Sequence, residues 1–331
     1  MFSLSIPFFV YIARLLNTNY AMKTNYFALL VLVMGGIVSC TEHDKNGKVL
    51  NTTTSGDVRI ASDETLLPVI DSQEQVFETI YPKADVQIAY LPETDVINQF
   101  LNDSVQMIVL PRELNAEELA QFAKLKITPR TNKIATDAIA LIINKSNTDT
   151  TLELADVREI IRGNKTQWNQ LDNKSNLGAI NIVYDNSKSS TVQYMINLVG
   201  KKEINGYALK TNEEVITYVG KNKGAIGIIG LNWISDRDDS STIFFKKNVN
   251  TIGIKGDPGD LGDDYFYQPY QAYLATKQYA LIRSVYTISR EPRAGLATGF
   301  ASFISSDKGQ KIFLKAGLLP ASAPIRIIST N

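Results

Sequence analysis

A cluster of hydroxyl side chains precedes a helix-like stretch at residues 184–195, which read YDNSKSSTVQYM. Four hydroxyl residues lie within five positions of this loop: Ser187, Ser189, Ser190 and Thr191. One capping side chain is enough for a helix N-terminus, so the loop holds more hydroxyls than a helix requires. Unpaired backbone N–H groups, hydroxyl donors and the charge of Lys188 would together favour an anion. A polar capping loop and an anion site both remain open from these residues alone.

Two other junctions between a strand-like and a helix-like segment carry similar groups. The segment RIASDETLLP passes through Asp63, Glu64 and Thr65 into a predicted helix, and MIVLPRELN places Arg112 just beyond a predicted strand. Ligands of open α/β sheets bind outside the carboxyl ends of the strands. These three junctions therefore predict one convergent oxyanion site, with a surface salt bridge as the alternative role of Arg112.

The chemistry that the chain lacks favours binding over catalysis. Its only histidine is His43 and its only cysteine is Cys40, so no Ser-His-Asp or Cys-His arrangement can form in the folded part. No nucleotide-binding glycine motif occurs, and the aspartate-rich segments 235–242 and 256–266 lack the spacing of a calcium loop. We therefore expect no cofactor and no metal, although a hydrolase built on paired carboxylates remains open.

The net charge argues against a nucleic-acid partner. Lys plus Arg and Asp plus Glu both number 34 among 331 residues, so there is no basic excess. Any anion must be recognised by a local arrangement of donors.

Strand-like and helix-like segments alternate from Asp57 onward. A helix is predicted over 65–80 and an apolar strand over 137–144, and a second helix is predicted to end at Gly163. Capping-box spacing appears twice, in the pairs Thr150 with Glu153 and Thr211 with Glu214. This alternation predicts an α/β architecture in which helices cover mixed sheets.

The N-terminal residues have the layout of a signal peptide. After Met22 come a lysine, a 13-residue apolar stretch and small residues that end at Cys40. The ending IVSC resembles the lipobox of bacterial lipoproteins, in which the cysteine is lipidated, with a buried structural cysteine as the alternative. We predict a signal peptide over 1–39 with translation starting at Met22, and a lipidated polar tether over 40–56.

Several segments resemble one known family, the phosphate-binding lipoproteins of bacterial phosphate ABC transporters. The most specific are TLELADVREIIRGNKTQWNQL, GAIGIIG and FISSDKGQKIFLKAGLLPA. The resemblance implies the type II periplasmic-binding-protein fold, with two α/β lobes, a two-segment hinge and ligand in the cleft. The first lobe would combine 57–136 with 266–331, and the second would span 137–265.

The resemblance also implies a function and a set of site residues. The protein would be exported, anchored by lipid to a bacterial membrane on its periplasmic or surface face, and monomeric. It would pass phosphate or a related oxyanion to the membrane permease of an ABC transporter, without enzymatic activity. Together with the loop chemistry, this predicts the following ligand-binding residues: Thr65, Leu66, Thr94, Arg112, Ser187, Lys188, Ser189, Ser190 and Thr191.

Three departures from the family pattern bear on the anion site, in addition to Pro111, which replaces a serine of the family. Asp185 stands where the family carries an arginine, Ser190 replaces a glycine, and Glu64 adds a carboxylate beside Thr65. A carboxylate that faces an anion repels it unless the carboxylate accepts the ligand's proton. A degenerate binding fold that acts as a surface interaction or sensing module is therefore the alternative function.

Lipidation provides the first testable prediction. Cys40→Ser should yield an unlipidated protein, because the thioether to diacylglycerol requires the sulfur of this cysteine. Metabolic labelling with a radioactive fatty acid measures this, and label retained on the serine variant would contradict the lipobox assignment.

Overall fold

The computed structural model describes residues 50–236 and 240–322. The predicted signal peptide, the start at Met22 and the lipidation site Cys40 lie outside the described residues. The strands are β1 (Ser55–Asp63), β2 (Lys83–Leu91), β3 (Met107–Leu110), β4 (Arg130–Asn144), β5 (Thr151–Glu153), β6 (Asn181–Tyr184), β7 (Tyr207–Ala208), β8 (Ala225–Gly230), β9 (Val249–Thr251), β10 (Gly253–Lys255), β11 (Ile282–Ser289) and β12 (Leu319–Pro320).

Helices connect most of these strands. They are α1 (Leu67–Ile80), α2 (Glu93–Leu101), α3 (Ala116–Lys124), α4 (Leu154–Arg162), α5 (Ser190–Val199), α6 (Asn212–Lys221), α7 (Asn232–Ser235), α8 (Ser240–Lys246), α9 (Gln271–Ala275), α10 (Leu296–Ser305) and α11 (Asp307–Lys315). Short 3₁₀ turns occupy Glu64–Leu66 and Trp168–Gln170. Within the described ranges, no helix is both long enough and apolar enough to cross a bilayer.

One large mixed sheet organises the fold. Its ten strands include the path β2-β1-β3-β11-β4-β8-β6-β7, while β9 and β12 each pair with β4. The pairs of β1 with β2 and β3, and of β6 with β7 and β8, are parallel, whereas β11 and β4 run antiparallel to their neighbours. The predicted α/β class with mixed sheets covered by helices is confirmed.

The long strand β4 and its partner β11 connect two separate regions of hydrophobic core. Ile134 and Ala135 of β4 pack with β1, α1 and α10, whereas the residues from Ala138 to Ile143 pack with β6, β8 and α5. The same change occurs in β11 between Leu281, just before the strand, and Val285. Both strands therefore pass from one core to the other at the level of Asp137 and Arg283, which are register partners.

The two-lobe division stays a prediction, but the core residues bear on its boundaries. Leu274, Tyr279 and Leu281 pack with the core that begins at Ala138, although the sequence assigned them to the first lobe. Residues 51–56, assigned to the tether, belong to the folded body, since Asn51 Oδ1 accepts from the N–H of Leu296 at 2.8 Å. The predicted tether was therefore too long at its C-terminal end.

Local sequence signals were right for one helix end and wrong for one helix start. The predicted stop at Gly163 is confirmed, because this glycine has φ 79° and its N–H bonds the last turn of α4. The capping box of Thr150 with Glu153 is wrong: Thr151–Glu153 form strand β5, whose backbone groups pair with β10. A parallel strand partner satisfies those backbone groups, so the helix starts only at Leu154.

The second predicted capping box is confirmed in one of its two hydrogen bonds. Thr211 Oγ1 accepts from the N–H of Glu214 at 3.2 Å. The reciprocal bond shifts by one residue, because Glu214 Oε2 accepts from the N–H of Lys210 at 3.0 Å instead.

The close packing of helix α10 on the chain before β1 leads to a stability prediction. A Cβ at Gly299 would lie 1.8 Å from the carbonyl oxygen of Thr53, so Gly299→Ala must displace backbone. We expect a loss of about 1–3 kcal/mol in the free energy of unfolding, measured by urea denaturation.

Ser302→Ala serves as the matched control, because Ser302 is exposed on the same helix. Its free energy of unfolding should stay within about 0.5 kcal/mol of wild type. Equal stability of Gly299→Ala and wild type would show that residues 51–54 do not pack on α10.

Candidate functional site

A buried ion pair lies where the two cores meet. Arg283 Nε donates to Asp137 Oδ2 at 2.9 Å, and Nη2 lies 2.8 Å from the same oxygen; the side chains of Arg283 and Asp137 are 3% and 0% exposed. The register of β11 against β4 places the two residues directly opposite each other. Removing one partner of such a pair leaves an uncompensated buried charge, which costs about 3–5 kcal/mol.

The remaining donors of Arg283 bind two hydroxyls from distant parts of the chain. Nη1 donates to Ser190 Oγ at 2.8 Å, and Nη2 donates to Thr65 Oγ1 at 2.9 Å. Gly230, at the end of β8, permits this approach, because a Cβ there would lie 3.1 Å from Arg283 Nη2 and from the Thr65 carbonyl oxygen. The guanidinium thus joins the loop after β1 to the start of α5.

Asp63 accepts hydrogen bonds from the same two loops. Its Oδ1 accepts from Thr65 N at 3.0 Å and from Ser190 Oγ at 2.9 Å, and also accepts from Thr65 Oγ1. Its Oδ2 is buried and has no hydrogen-bond partner among the described residues. Asp63 is the last residue of β1 and caps the 3₁₀ turn that follows, so strand end and turn together fix its carboxylate.

The loop after β1 is also held by helix α7. The Thr65 carbonyl oxygen accepts from Asn232 Nδ2 at 2.8 Å and from Trp233 Nε1 at 3.0 Å. Thr65 and its neighbour Leu66 are fully buried. Of the predicted site residues, Thr65 and Ser190 are brought together, with their hydroxyl oxygens 3.2 Å apart.

Three hydroxyl side chains of the loop before α5 are buried, and their hydrogen bonds differ. Ser189 caps α5 by accepting from the N–H of Val192 at 3.4 Å, and its Oγ lies 2.8 Å from Thr191 Oγ1. Thr191 Oγ1 donates to Asp185 Oδ1 at 3.1 Å. Only Ser190 reaches across to Arg283 and Asp63. Ser189 and Thr191 therefore stabilise the loop and the helix start, whereas Ser190 faces the other loop.

The exposed members of this loop lie elsewhere. Ser187 and Lys188 are exposed, and Lys188 Nζ lies 3.5 Å from Asp95 Oδ1 of helix α2. This ion pair lies outside the buried cluster around Arg283.

Arg112 and Thr94 lie at a different depression, which also includes Gln193 of α5. Arg112 Nε donates to Glu93 at 2.8 Å, and its two terminal nitrogens donate to the two oxygens of Glu118 at 2.9 Å. Thr94 is exposed. The structure does not place Arg112 among the groups that Thr65 and Ser190 contact, and its role in binding stays a prediction.

The sequence patterns did not single out Asp137 or Arg283, and they marked Asp63 only as part of a junction. One available signal was the arginine within ALIRSVYTI, since a charge in an otherwise strand-like apolar run needs a buried partner. Asp137 opens the apolar strand segment DAIALIIN and is the same kind of exception. Their pairing, however, depends on a strand register that the chain order does not reveal.

One protein-family model matches most of this chain. Residues 49–308 match the family described as PBP superfamily domain. This chain belongs to the PBP superfamily. The resemblance found in the sequence is thereby confirmed at the level of the superfamily.

Known proteins similar to the chain include phosphate-binding proteins. "Phosphate-binding protein PstS" of Staphylococcus aureus strain USA300 is 21% identical over 270 residues, which cover 80% of this chain and 79% of that protein. The crystal structure of a putative phosphate ABC transporter substrate-binding protein with bound phosphate from Clostridium perfringens is 22% identical, with a TM-score of 0.67 and coverage of 81% and 100%.

A second solved structure extends the likeness. An ABC-type phosphate transport receptor from Vibrio cholerae is 18% identical, with a TM-score of 0.60 and coverage of 80% and 100%. At these identities, the structural likenesses establish a shared fold.

Carboxylates outnumber the single guanidinium at the junction. Burial raises the pKa of Asp63, and the nearby charge of Arg283 offsets part of this increase. Burial, followed by the charges of Asp185, Asp63 and Asp95, raises the pKa of Glu64 to about 8. Glu64 is therefore largely protonated at neutral pH, which reduces the repulsion that an anion would meet.

Glu64 should make stability depend on pH. Its pKa in the folded protein lies above that of an exposed glutamate, so the folded state binds more protons between about pH 4.5 and pH 8. Its contribution to stability is complete below that window and is lost as the pH rises through it. Glu64→Gln removes the titrating group, so its melting temperature should fall less than that of wild type across this window.

Glu117→Gln is the matched control, since Glu117 is exposed on α3. This variant should follow the wild-type curve of melting temperature against pH. A Glu64→Gln curve parallel to that of wild type would contradict the raised pKa.

Proposed function

We propose that this protein is an extracytoplasmic solute-binding lipoprotein that captures phosphate, or a related oxyanion, and delivers it to the permease of an ABC transporter. One observation carries the proposal. Hydroxyls from two distant loops, Thr65 and Ser190, meet a buried guanidinium at the junction of the two cores. Membership of the PBP superfamily and the relatives' phosphate-binding names support the choice of ligand.

Arg283 is the cation that we assign to the oxyanion. Asp185 stands at the position where the family carries an arginine, so the hydroxyl loop lacks the guanidinium that the family has there. Arg283 reaches the same hydroxyl loop from β11, through its hydrogen bond to Ser190. Its planar fork can donate two parallel hydrogen bonds to oxyanion oxygens, which a lysine cannot do.

The other donors of the proposed site surround this fork. The N-terminus of α5 contributes backbone N–H groups and the positive end of its dipole, which favour an anion. Thr65 supplies a neutral hydroxyl from the first loop, and Ser190 supplies one from the second.

Arg112 and Thr94 form a second candidate contact, which rests on the resemblance. Three nitrogens of Arg112 already donate to Glu93 and Glu118, so an anion would have to compete with two carboxylates for this guanidinium. Arg283 is bound to one carboxylate and two hydroxyls, which give way to an oxyanion at lower cost. We therefore rank Arg283 first.

The proposed role also requires export and attachment to a membrane. Export and a lipid anchor at Cys40 would hold the protein on the periplasmic or surface face of a membrane, where a permease receives the ligand. We expect a monomer that needs no cofactor and that does not bind nucleic acid.

The same substitution at the two arginines decides between them. Arg283→Lys keeps the positive charge beside Asp137 but loses the planar fork, so phosphate binding should weaken by about 1.5–3 kcal/mol. Arg112→Lys should change the affinity for phosphate by less than about 0.5 kcal/mol, because we place Arg112 outside the set of groups that hold the anion. Isothermal titration calorimetry with phosphate measures both, and thermal melts check that each variant is folded.

The opposite order of effects would place the anion at Arg112. An absence of heat, and of thermal stabilisation, with phosphate, arsenate and sulfate would favour the interaction or sensing module instead. Hydrolysis of a phosphate ester that depends on one carboxylate would favour an enzyme.

A further inference from the structure

The donors that we assign to the oxyanion already serve a carboxylate of this chain. Asp63 Oδ1 accepts from the N–H and the hydroxyl of Thr65 and from the hydroxyl of Ser190. A phosphate oxygen and a carboxylate oxygen accept hydrogen bonds from these groups in the same geometry. The two anions are therefore rivals for one set of donors.

The ionisable side chains that act on Asp63 come from several different elements. Arg283 of β11 is the cation that lowers its pKa, while the carboxylates near it belong to β4, to α2 and to the two loops. These carboxylates are Asp137, Glu93, Glu64 and Asp185. An incoming anion would thus add negative charge to a cluster that already holds more acidic side chains than basic ones.

We propose that Asp63 is an affinity-determining residue that acts as an internal competitor of the oxyanion, so that binding is coupled to proton uptake at Asp63. The inference rests on the proposed function. A protonated Asp63 carries no charge and is a weaker acceptor, so it yields Thr65 and Ser190 to the ligand. Phosphate should therefore bind more tightly as the pH falls through the range in which Asp63 titrates.

Two features support the coupling. Complete burial raises the pKa of Asp63, because the charged form loses its hydration, and this brings proton uptake closer to neutral pH. The second carboxylate oxygen, Oδ2, is buried without a hydrogen-bond partner among the described residues, so it can take a proton without breaking an existing bond.

The decisive variant is Asp63→Asn. Its carbonyl oxygen can still accept from Thr65 and Ser190, and its amide occupies the place of Oδ2, so shape is preserved while the charge is lost. We expect phosphate to bind at least about tenfold more tightly than to wild type above neutral pH. The gain should shrink at acid pH, where wild-type Asp63 is protonated.

Asp85→Asn is the matched control, because it makes the same change of charge at an exposed position on β2. Its affinity should equal that of wild type at every pH. Because phosphate's own ionisation is common to all three proteins, the comparison between them isolates Asp63.

The outcomes separate this inference from the proposed function. Tighter binding by Asp63→Asn supports the inference, and so does binding by this variant when wild type shows none. If wild type binds phosphate and a folded Asp63→Asn binds it no more tightly, the competitor role is refuted while the proposed function stands. If neither protein binds phosphate, arsenate or sulfate, the proposed function fails and the inference with it.

A measurement on wild type keeps the inference testable if Asp63→Asn does not fold. Calorimetry in buffers of different ionisation enthalpy counts the protons exchanged on phosphate binding. Proton uptake beyond that of phosphate itself is expected at pH values between the pKa of Asp63 in the free protein and its higher pKa in the complex. No such uptake at any pH would refute the coupling.

Discussion

The need to satisfy one buried guanidinium constrains the whole junction between the two cores. Arg283 is almost fully excluded from solvent, so each of its donors must find a partner within the protein. Asp137, directly opposite on β4, accepts from Nε and forms an ion pair with the guanidinium. The remaining bonds go to Thr65 and Ser190, which therefore have to approach each other across the junction. Arg283 and Asp63 thus join two loops that are far apart in the chain.

The contacts at this junction give structural roles to two of the departures from the family pattern. Asp185, in place of an arginine, removes a positive charge from the hydroxyl loop and takes a hydrogen bond from Thr191 and another from Asn212. Ser190, in place of a glycine, supplies the hydroxyl that Arg283 and Asp63 use. The positive charge at the junction thus comes from β11 rather than from the strand that leads into α5. A close backbone approach at Gly230 is what makes room for it.

Sequence patterns predicted the fold well and singled out two of the side chains that meet at the junction of the two cores. Apolar runs such as 137–144 are buried on both sides of the sheet, so their period and composition were reliable guides. Gly163 ended α4 as predicted, because a left-handed backbone conformation favours glycine. Thr150 with Glu153 misled, because a nearby strand partner outweighed the local capping signal. Thr65 and Ser190 were found from loop chemistry, whereas Arg283 was not, since it lies within a strand.

What the sequence by itself determined are the local properties: the alternation of strands and helices, the buried apolar segments, the hydroxyl-rich start of α5 and the superfamily. Each depends on residues close together in the chain, whose periodicity and capping chemistry act over a few positions. Tertiary structure alone decided which charge meets those hydroxyls. The pairing of Arg283 with Asp137 depends on the register of two strands distant in sequence, and the contact with Thr65 and Ser190 depends on how two cores pack at their junction. Long-range register and burial decide such contacts, and neither is written in any single segment.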